Sequence, residues 1–120
     1  MAQTIFERYG GFATFSKVVS AFYDKILECP VTSPYFDSID MRRLVDHQTK
    51  FVASVTGGPA SYTNDHLQRI HAPFKIDEGA FAEMSKLLRE TLEDFGLADA
   101  DVHHVCHEIL NRKHFIIAGR

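Results

Sequence analysis

Apolar residues recur at every third or fourth position along most of the chain, in stretches separated by short breaks rich in glycine and proline. The first stretch runs over residues 12–27 and places its apolar side chains at Phe12, Phe15, Val19, Phe22 and Ile26. This spacing is the repeat of one face of an α-helix, and no stretch shows the alternation that is typical of a β-strand. The sequence therefore predicts an all-α fold.

The breaks predict where the later helices begin and end. Residues 30–40 carry two prolines and an aromatic pair, which favours a tight connection, and Asp40 is placed to cap the helix that follows. Gly57-Gly58-Pro59 ends that helix, and Pro73 closes a short helix soon after His71. Two longer helical stretches follow, with apolar faces over residues 81–95 and 102–110.

Length, charge and cysteine content narrow the class of protein. A chain of 120 residues has room for one core, so we expect a single domain over residues 1–120. A net charge of -3 with scattered Lys and Arg residues argues against a nucleic-acid partner. The absence of a long apolar run or a signal-like N-terminus argues against membrane insertion and favours the cytoplasm. Cys29 and Cys106 lie far apart and are expected to be free thiols.

Several polar side chains occupy positions at or beside apolar stripes. Tyr23, His47 and Gln48 are placed in this way, and a buried polar group is costly unless it has a partner. Either a bound ligand or a hydrogen bond between Tyr23 and Gln48 would supply that partner. His71, on its short helix, could hold an imidazole against a metal-bearing ring, although a lone histidine near a helix end is more often structural. Ten Phe and seven His suit a flat apolar ligand with a metal, or equally a Phe-rich core with surface histidines.

An ordered set of motifs resembles the truncated haemoglobins of group I. The motifs are FYDKIL, YFDSIDM, DHQTKF, VTGG and HLQRIHAPF, and the similarity runs from Phe6 to His114. The resemblance implies a two-over-two helical sandwich that encloses haem b, with Gly10-Gly11 and Gly57-Gly58 as glycine hinges.

The same resemblance assigns roles to individual residues. His71 matches the proximal iron ligand, Phe36 the phenylalanine that stacks on the haem, and Tyr23 the distal tyrosine that donates to a bound gas. Further distal-pocket positions are matched by Leu44, His47, Gln48 and Phe51. Haem-contact positions are matched by Leu67, Phe74 and Phe81.

Four features of the match concern the site and the segment that follows it. Leu44 stands where many relatives have a glutamine, so the polar role falls to Tyr23 and Gln48. His47 is placed to serve as a distal iron ligand in the absence of gas. His114 matches a histidine that, in some group I members, bonds covalently to a haem vinyl group. The segment Lys75–Gly79 is a few residues shorter than in some relatives.

The leading functional hypothesis is reversible binding of a diatomic gas, O2, NO or CO, with NO dioxygenation as an associated reaction that needs an unidentified reductase. In that chemistry the protein supplies an imidazole, a distal donor and an apolar pocket. An alternative is a redox or sensor protein in which His47 and His71 both ligate the iron. A third hypothesis is a helical interaction module without a cofactor.

His103 and His107 lie four residues apart on one predicted helix, but the pattern around them favours a solvated face over a metal site.

Overall fold

The computed structural model describes residues 3–37, 39–58 and 76–113, and the predicted all-α fold is confirmed. A short helix, α1 (Ile5–Arg8), begins with a capping box in which Thr4 accepts from the Glu7 amide and the Glu7 carboxylate accepts from the Thr4 amide. The long helix α2 (Gly11–Glu28) follows directly, because Gly10 adopts φ +106° and lets the chain turn between the two helices. The prediction of a first long helix was therefore right to within a residue at each end.

The connection to the third helix is tight, as its prolines predicted. A 3-10 helix, Ser33–Phe36, carries Phe36 inward to a buried position. The fully buried Thr32 donates its hydroxyl hydrogen to the carbonyl of Ile26 at 2.7 Å, which fixes the turn onto the end of α2. The helix α3 (Met41–Val55) then begins at Asp40, whose side chain accepts from the Arg43 amide at 3.3 Å, as expected for an N-cap.

The last two described helices form an antiparallel pair. They are α4 (Glu78–Asp94), capped by the side chain of Asp77, and α5 (Asp99–Leu110). A short turn at Gly96, with φ +81°, joins them. The ammonium of Lys113, just beyond α5, lies 3.6 Å from the carboxylate of Glu78 at the start of α4. The end of one helix therefore faces the beginning of the other.

The four long helices within the described ranges pack as two pairs, α2 with α3 and α4 with α5, around one core. The helix α2 contacts both α3 and α4, and α5 contacts α4 and α3. The most deeply buried large apolar side chains of this core are Phe15, Val18, Val19, Ile26, Leu92 and Val105. None of the described helices is both long and apolar enough to cross a membrane. Cys29 and Cys106 are free, as predicted.

Two contacts attach the N-terminal segment to this core. The Phe6 amide donates to the Thr56 carbonyl at 3.0 Å, and a Cβ atom on Gly58 would lie 2.9 Å from the Phe6 ring. Only glycine at position 58 therefore leaves this ring in place. The second contact joins α1 to the start of α5 through the carboxylate of Asp101, which is bound by Arg8 and Tyr9.

Candidate functional site

An apolar cavity of about 90 Å³ lies between the two helix pairs. Six of the residues that the sequence predicted for a haem pocket line it together: Tyr23, Phe36, Leu44, Gln48, Phe51 and Phe81. They come from α2, the 3-10 helix, α3 and α4, so the fold brings together positions that are far apart in the sequence. The other described lining residues are Val19, Phe22, Ile26, Val52, Ile76, Met84, Ser85, Leu88 and Ile109.

Aromatic contacts hold the α2 side of the cavity. The rings of Tyr23 and Phe36 meet edge to face, with centroids 5.6 Å apart and planes at 68°. The ring of Phe22 contacts Tyr23 in the same manner at 5.0 Å. Such pairs stabilise a fixed ring orientation beyond the effect of burial alone. The orientation of Tyr23 is therefore set by its two aromatic neighbours.

The hydroxyl of Tyr23 is the main polar group on this side. Tyr23 is 7% exposed, and burial raises the pKa of its phenol, which keeps the hydroxyl protonated and able to donate. Its hydroxyl forms no hydrogen bond with another described residue, so the predicted alternative of a bond between Tyr23 and Gln48 is not observed. A phenol that lines an apolar cavity can donate a hydrogen bond to a ligand placed there.

The α3 side presents one helix face to the cavity. Leu44, Gln48 and Phe51 follow one another at intervals of four and three residues, which places them on the same face of α3. Phe51 is buried, whereas Leu44 and Gln48 are half-buried. Position 44 carries a leucine, which has no polar group. Among the described lining residues, Gln48 is therefore the one polar side chain that α3 contributes to the cavity.

His47 lies on a different part of the α3 surface. Its side chain is exposed, and it is not among the described residues that line the cavity. Its neighbour in the sequence, Gln48, points toward the cavity, and adjacent helical residues are separated by about 100° around the axis. Ligation of iron by His47 remains a prediction.

Four predicted site residues fall outside the described part of the chain. They are the proximal ligand His71, the haem contacts Leu67 and Phe74, and His114, the residue predicted to bond to a haem vinyl group. Their roles remain predictions.

Some cavity residues were not singled out as site residues from the sequence. Met84 and Leu88 belong to the predicted apolar face of α4, so their helical spacing already signalled an inward direction. Ser85 lies between them in the sequence and also lines the cavity. No sequence signal distinguished this serine from a solvated one, because its position depends on how α4 and α5 pack.

The cavity residues fit one side of a haem. A haem protein needs an imidazole on the iron, apolar walls for the ring, and a group on the opposite face that meets the gas. The described cavity offers apolar walls and the protonated phenol of Tyr23 in its lining. Among the described residues, no group of three or more His, Cys, Asp and Glu side chains could hold a bare metal ion. The apolar walls and the phenol are therefore compatible with one face of a haem site.

A helical two-over-two sandwich around an apolar cavity of this kind defines a globin. In agreement, the model of the bacterial-like globin family matches residues 4–118, and the chain belongs to this family. The group 1 truncated haemoglobin of Tetrahymena pyriformis is 28% identical over 107 residues, which are 89% of this chain and 88% of that protein. The group 2 truncated haemoglobin YjbI of Bacillus subtilis is 32% identical over 92 residues, which are 72% of this chain and 68% of its own.

The structural comparison agrees with the family. The crystal structure of the Tetrahymena pyriformis truncated haemoglobin in the Fe(III) form superimposes with a TM-score of 0.86 at 26% identity, covering 98% of this chain and all of that one. The chain is therefore a truncated haemoglobin, a haem globin, and the resemblance stated from its motifs is confirmed.

Proposed function

We propose that this globin binds haem b through His71 and binds O2, NO or CO in the cavity beside Tyr23. The observation that carries the proposal is Tyr23, a buried tyrosine that lines the apolar cavity and whose phenol pKa is raised by burial. Bound haem would supply an iron atom that takes a diatomic gas as a ligand. The residues of the chain would determine how long the gas stays.

Tyr23 would act as the hydrogen-bond donor to the gas. A hydrogen bond to a partly anionic acceptor contributes roughly 1.5–3 kcal/mol, which corresponds to about tenfold to hundredfold slower release. The raised pKa of the phenol keeps its hydrogen in place at neutral pH. Gln48 would provide a second polar contact to the gas, whereas Leu44 has no polar group to offer.

The apolar side chains around Tyr23 would exclude water from the gas. Phe36 and Phe51 are buried, and Phe81 closes the cavity from α4. In a dry cavity a single hydrogen bond has no competing water and is electrostatically stronger than at the surface. These apolar surroundings would explain how the single phenol of Tyr23 could control the release of the gas.

We extend the proposal to the conversion of NO and O2 to nitrate in the same cavity, with a separate reductase supplying one electron per turnover. The chain is further proposed to act as one domain over residues 1–120 in the cytoplasm. The alternative, a redox or sensor protein with His47 as a second iron ligand, requires the exposed side chain of His47 to turn toward the cavity.

The experiment that tests the proposal compares Tyr23→Phe with wild type in the haem-loaded protein. We expect O2 dissociation, followed by stopped-flow absorption, to accelerate by about tenfold to hundredfold, as a lost hydrogen bond to a partly charged ligand requires. Tyr35→Phe is the matched control, because Tyr35 does not line the cavity.

Two results would contradict the proposal. Unchanged O2 dissociation in Tyr23→Phe would assign the donor role to Gln48 or His47. Absorption spectra of His71→Ala that retain the proximal ligation of the wild type would remove His71 as the iron ligand.

A further inference from the structure

One sulfur atom belongs to the wall of the gas cavity. Met84 is the single sulfur-containing side chain among the described residues that line this cavity. It lies on the same face of α4 as Phe81 and Leu88, three residues after the first and four before the second, and both of these neighbours are buried. Met84 itself is half-buried and packs against the core. A small molecule in the cavity would therefore meet its thioether.

The thioether of methionine accepts an oxygen atom from a peroxide, and the product is a sulfoxide. Its lone pair is available at any pH, because a thioether has no proton to lose. The other described lining side chains carry aliphatic, aromatic, hydroxyl or amide groups, which peroxide does not oxidise at a comparable rate. Met84 is thus the peroxide-reactive group of the described cavity wall.

The two cysteines are the competing sulfur groups, and their positions oppose them. A thiol reacts with peroxide as its thiolate. Burial raises the pKa of the Cys106 thiol, which keeps it protonated at neutral pH. Neither Cys106 nor Cys29 is among the described residues that line the cavity. Peroxide inside the cavity would therefore meet a thioether and not a thiolate.

The proposed function would bring peroxide to this wall. Peroxide is the two-electron reduction product of O2, so a site that holds O2 beside a redox-active iron is exposed to it. Bound haem would supply an iron atom to which a small oxygen ligand attaches. The phenol of Tyr23, which burial keeps protonated by raising its pKa, can donate a hydrogen bond to such a ligand. Tyr23 and Met84 line the same cavity, so the ligand would be held near the sulfur.

We propose that Met84 accepts an oxygen atom from hydrogen peroxide held in the cavity and becomes methionine sulfoxide. In this step the sulfur lone pair forms an S–O bond to one peroxide oxygen, and the O–O bond breaks. The sulfur loses two electrons and the peroxide gains them. The proton of the attacked oxygen passes to the departing hydroxide, so the other product is one water molecule. The inference rests on the proposed function, because the haem-loaded cavity is what holds the peroxide.

Oxidation would change the character of the cavity wall. A sulfoxide is polar and accepts hydrogen bonds, whereas the thioether is apolar. One oxygen atom on Met84 would therefore place a polar acceptor in the cavity that also contains the Tyr23 phenol.

Met41 provides a matched comparison within the same chain. It is half-buried like Met84, but it lies at the start of α3 and lines an outer pocket between α2 and α3 instead of the cavity. Free peroxide oxidises a methionine according to its exposure. Two half-buried methionines would therefore react at similar rates if the cavity played no part.

The test treats the ferric haem-loaded protein with an equimolar amount of hydrogen peroxide and follows each methionine by peptide mass spectrometry. We expect Met84 to gain the mass of one oxygen atom about tenfold faster than Met41, because the cavity holds the peroxide beside its sulfur. Cyanide, which occupies the iron, should slow the oxidation of Met84 to the rate of Met41 and leave Met41 unchanged. Met84→Leu keeps the apolar volume and should remove the fast reaction, whereas Met41→Leu should leave it intact.

Equal oxidation rates at the two methionines would overturn the proposal, and so would a Met84 rate that cyanide does not change. Absorption spectra of the reduced protein with CO separate this inference from the proposed function. If CO binds and Met84 shows no preferential oxidation, this inference alone is wrong. If CO does not bind, the proposed function is wrong and this inference falls with it.

Discussion

The hydroxyl of Tyr9 connects the N-terminal segment to the last described helix, and its removal tests how that connection is made. It donates to the carboxylate of Asp101 at 2.6 Å and accepts from the backbone amide of Ala98 at 3.0 Å. Ala98 is the N-cap residue of α5, and its side chain cannot act as a cap. Tyr9→Phe keeps the ring and removes both hydrogen bonds.

The expected loss of stability follows from the two bonds. A hydrogen bond to a charged acceptor contributes roughly 1.5–3 kcal/mol, and the lower end applies here because Asp101 keeps two hydrogen bonds from Arg8, at 2.7 and 2.9 Å. The amide of Ala98 is near the surface, where water replaces most of the lost bond. We therefore expect the free energy of unfolding to fall by about 2 kcal/mol, with a decrease in Tm of about 8 °C.

Urea denaturation followed by circular dichroism measures this change, with the ferric haem-loaded protein at neutral pH. Tyr35→Phe is the control, since its hydroxyl forms no hydrogen bond with a described residue. A loss below about 0.5 kcal/mol in Tyr9→Phe would refute the reasoning, because it would mean that water replaces both bonds at no cost. A change in the slope of the free energy of unfolding against urea concentration would instead indicate that the N-terminal segment detaches before the rest of the protein unfolds.

Three further predictions concern charge and haem ligation. Hydrogen bonds from Arg8 and Tyr9 hold the pKa of Asp101 in the folded protein below its ordinary value. The ionised carboxylate therefore stabilises the folded state at any pH above the ordinary pKa, and this stabilisation is lost as the pH falls through the lower pKa of the folded protein. Urea titrations from neutral pH to about pH 3 should therefore show a smaller acid-dependent loss in Asp101→Asn than in wild type. If His47 ligates the iron at rest, His47→Leu should convert a low-spin ferric spectrum to high-spin, and a wild type that is already high-spin would contradict that role. If His114 bonds to a haem vinyl group, the mass of the reduced and acid-acetone-extracted chain should include the haem, and His114→Ala should lose it.

The helices could be predicted because each boundary has a local cause. The apolar spacing from Phe12 to Ile26 indicated a helix there, and the observed α2, Gly11–Glu28, covers this stretch. Asp40 caps α3 as expected, since an N-cap interaction involves residues only two or three positions apart. Local chemistry of this kind can be read from a single sequence.

Contacts between distant positions could not be predicted in the same way. Asp101 was not singled out by its sequence neighbourhood, because its partners Arg8 and Tyr9 are 93 and 92 residues away. The direction of His47 illustrates a second limit. Spacing placed it on the flank of the inward face of α3, and only the packing of the helices decides whether a flank residue points inward or into solvent.

The position of Tyr23 shows how a local turn controls the candidate gas site. The hydroxyl of Thr32 closes the end of α2 by bonding to the carbonyl of Ile26, and the chain then runs directly into the 3-10 helix that carries Phe36. Since Phe36 meets the Tyr23 ring edge to face, the turn fixes one of the two aromatic contacts that orient the phenol. With leucine at position 44, Gln48 is the polar side chain of α3 in the described lining that could assist this phenol. The strength of gas binding in this globin should therefore depend on a buried threonine that never contacts the gas.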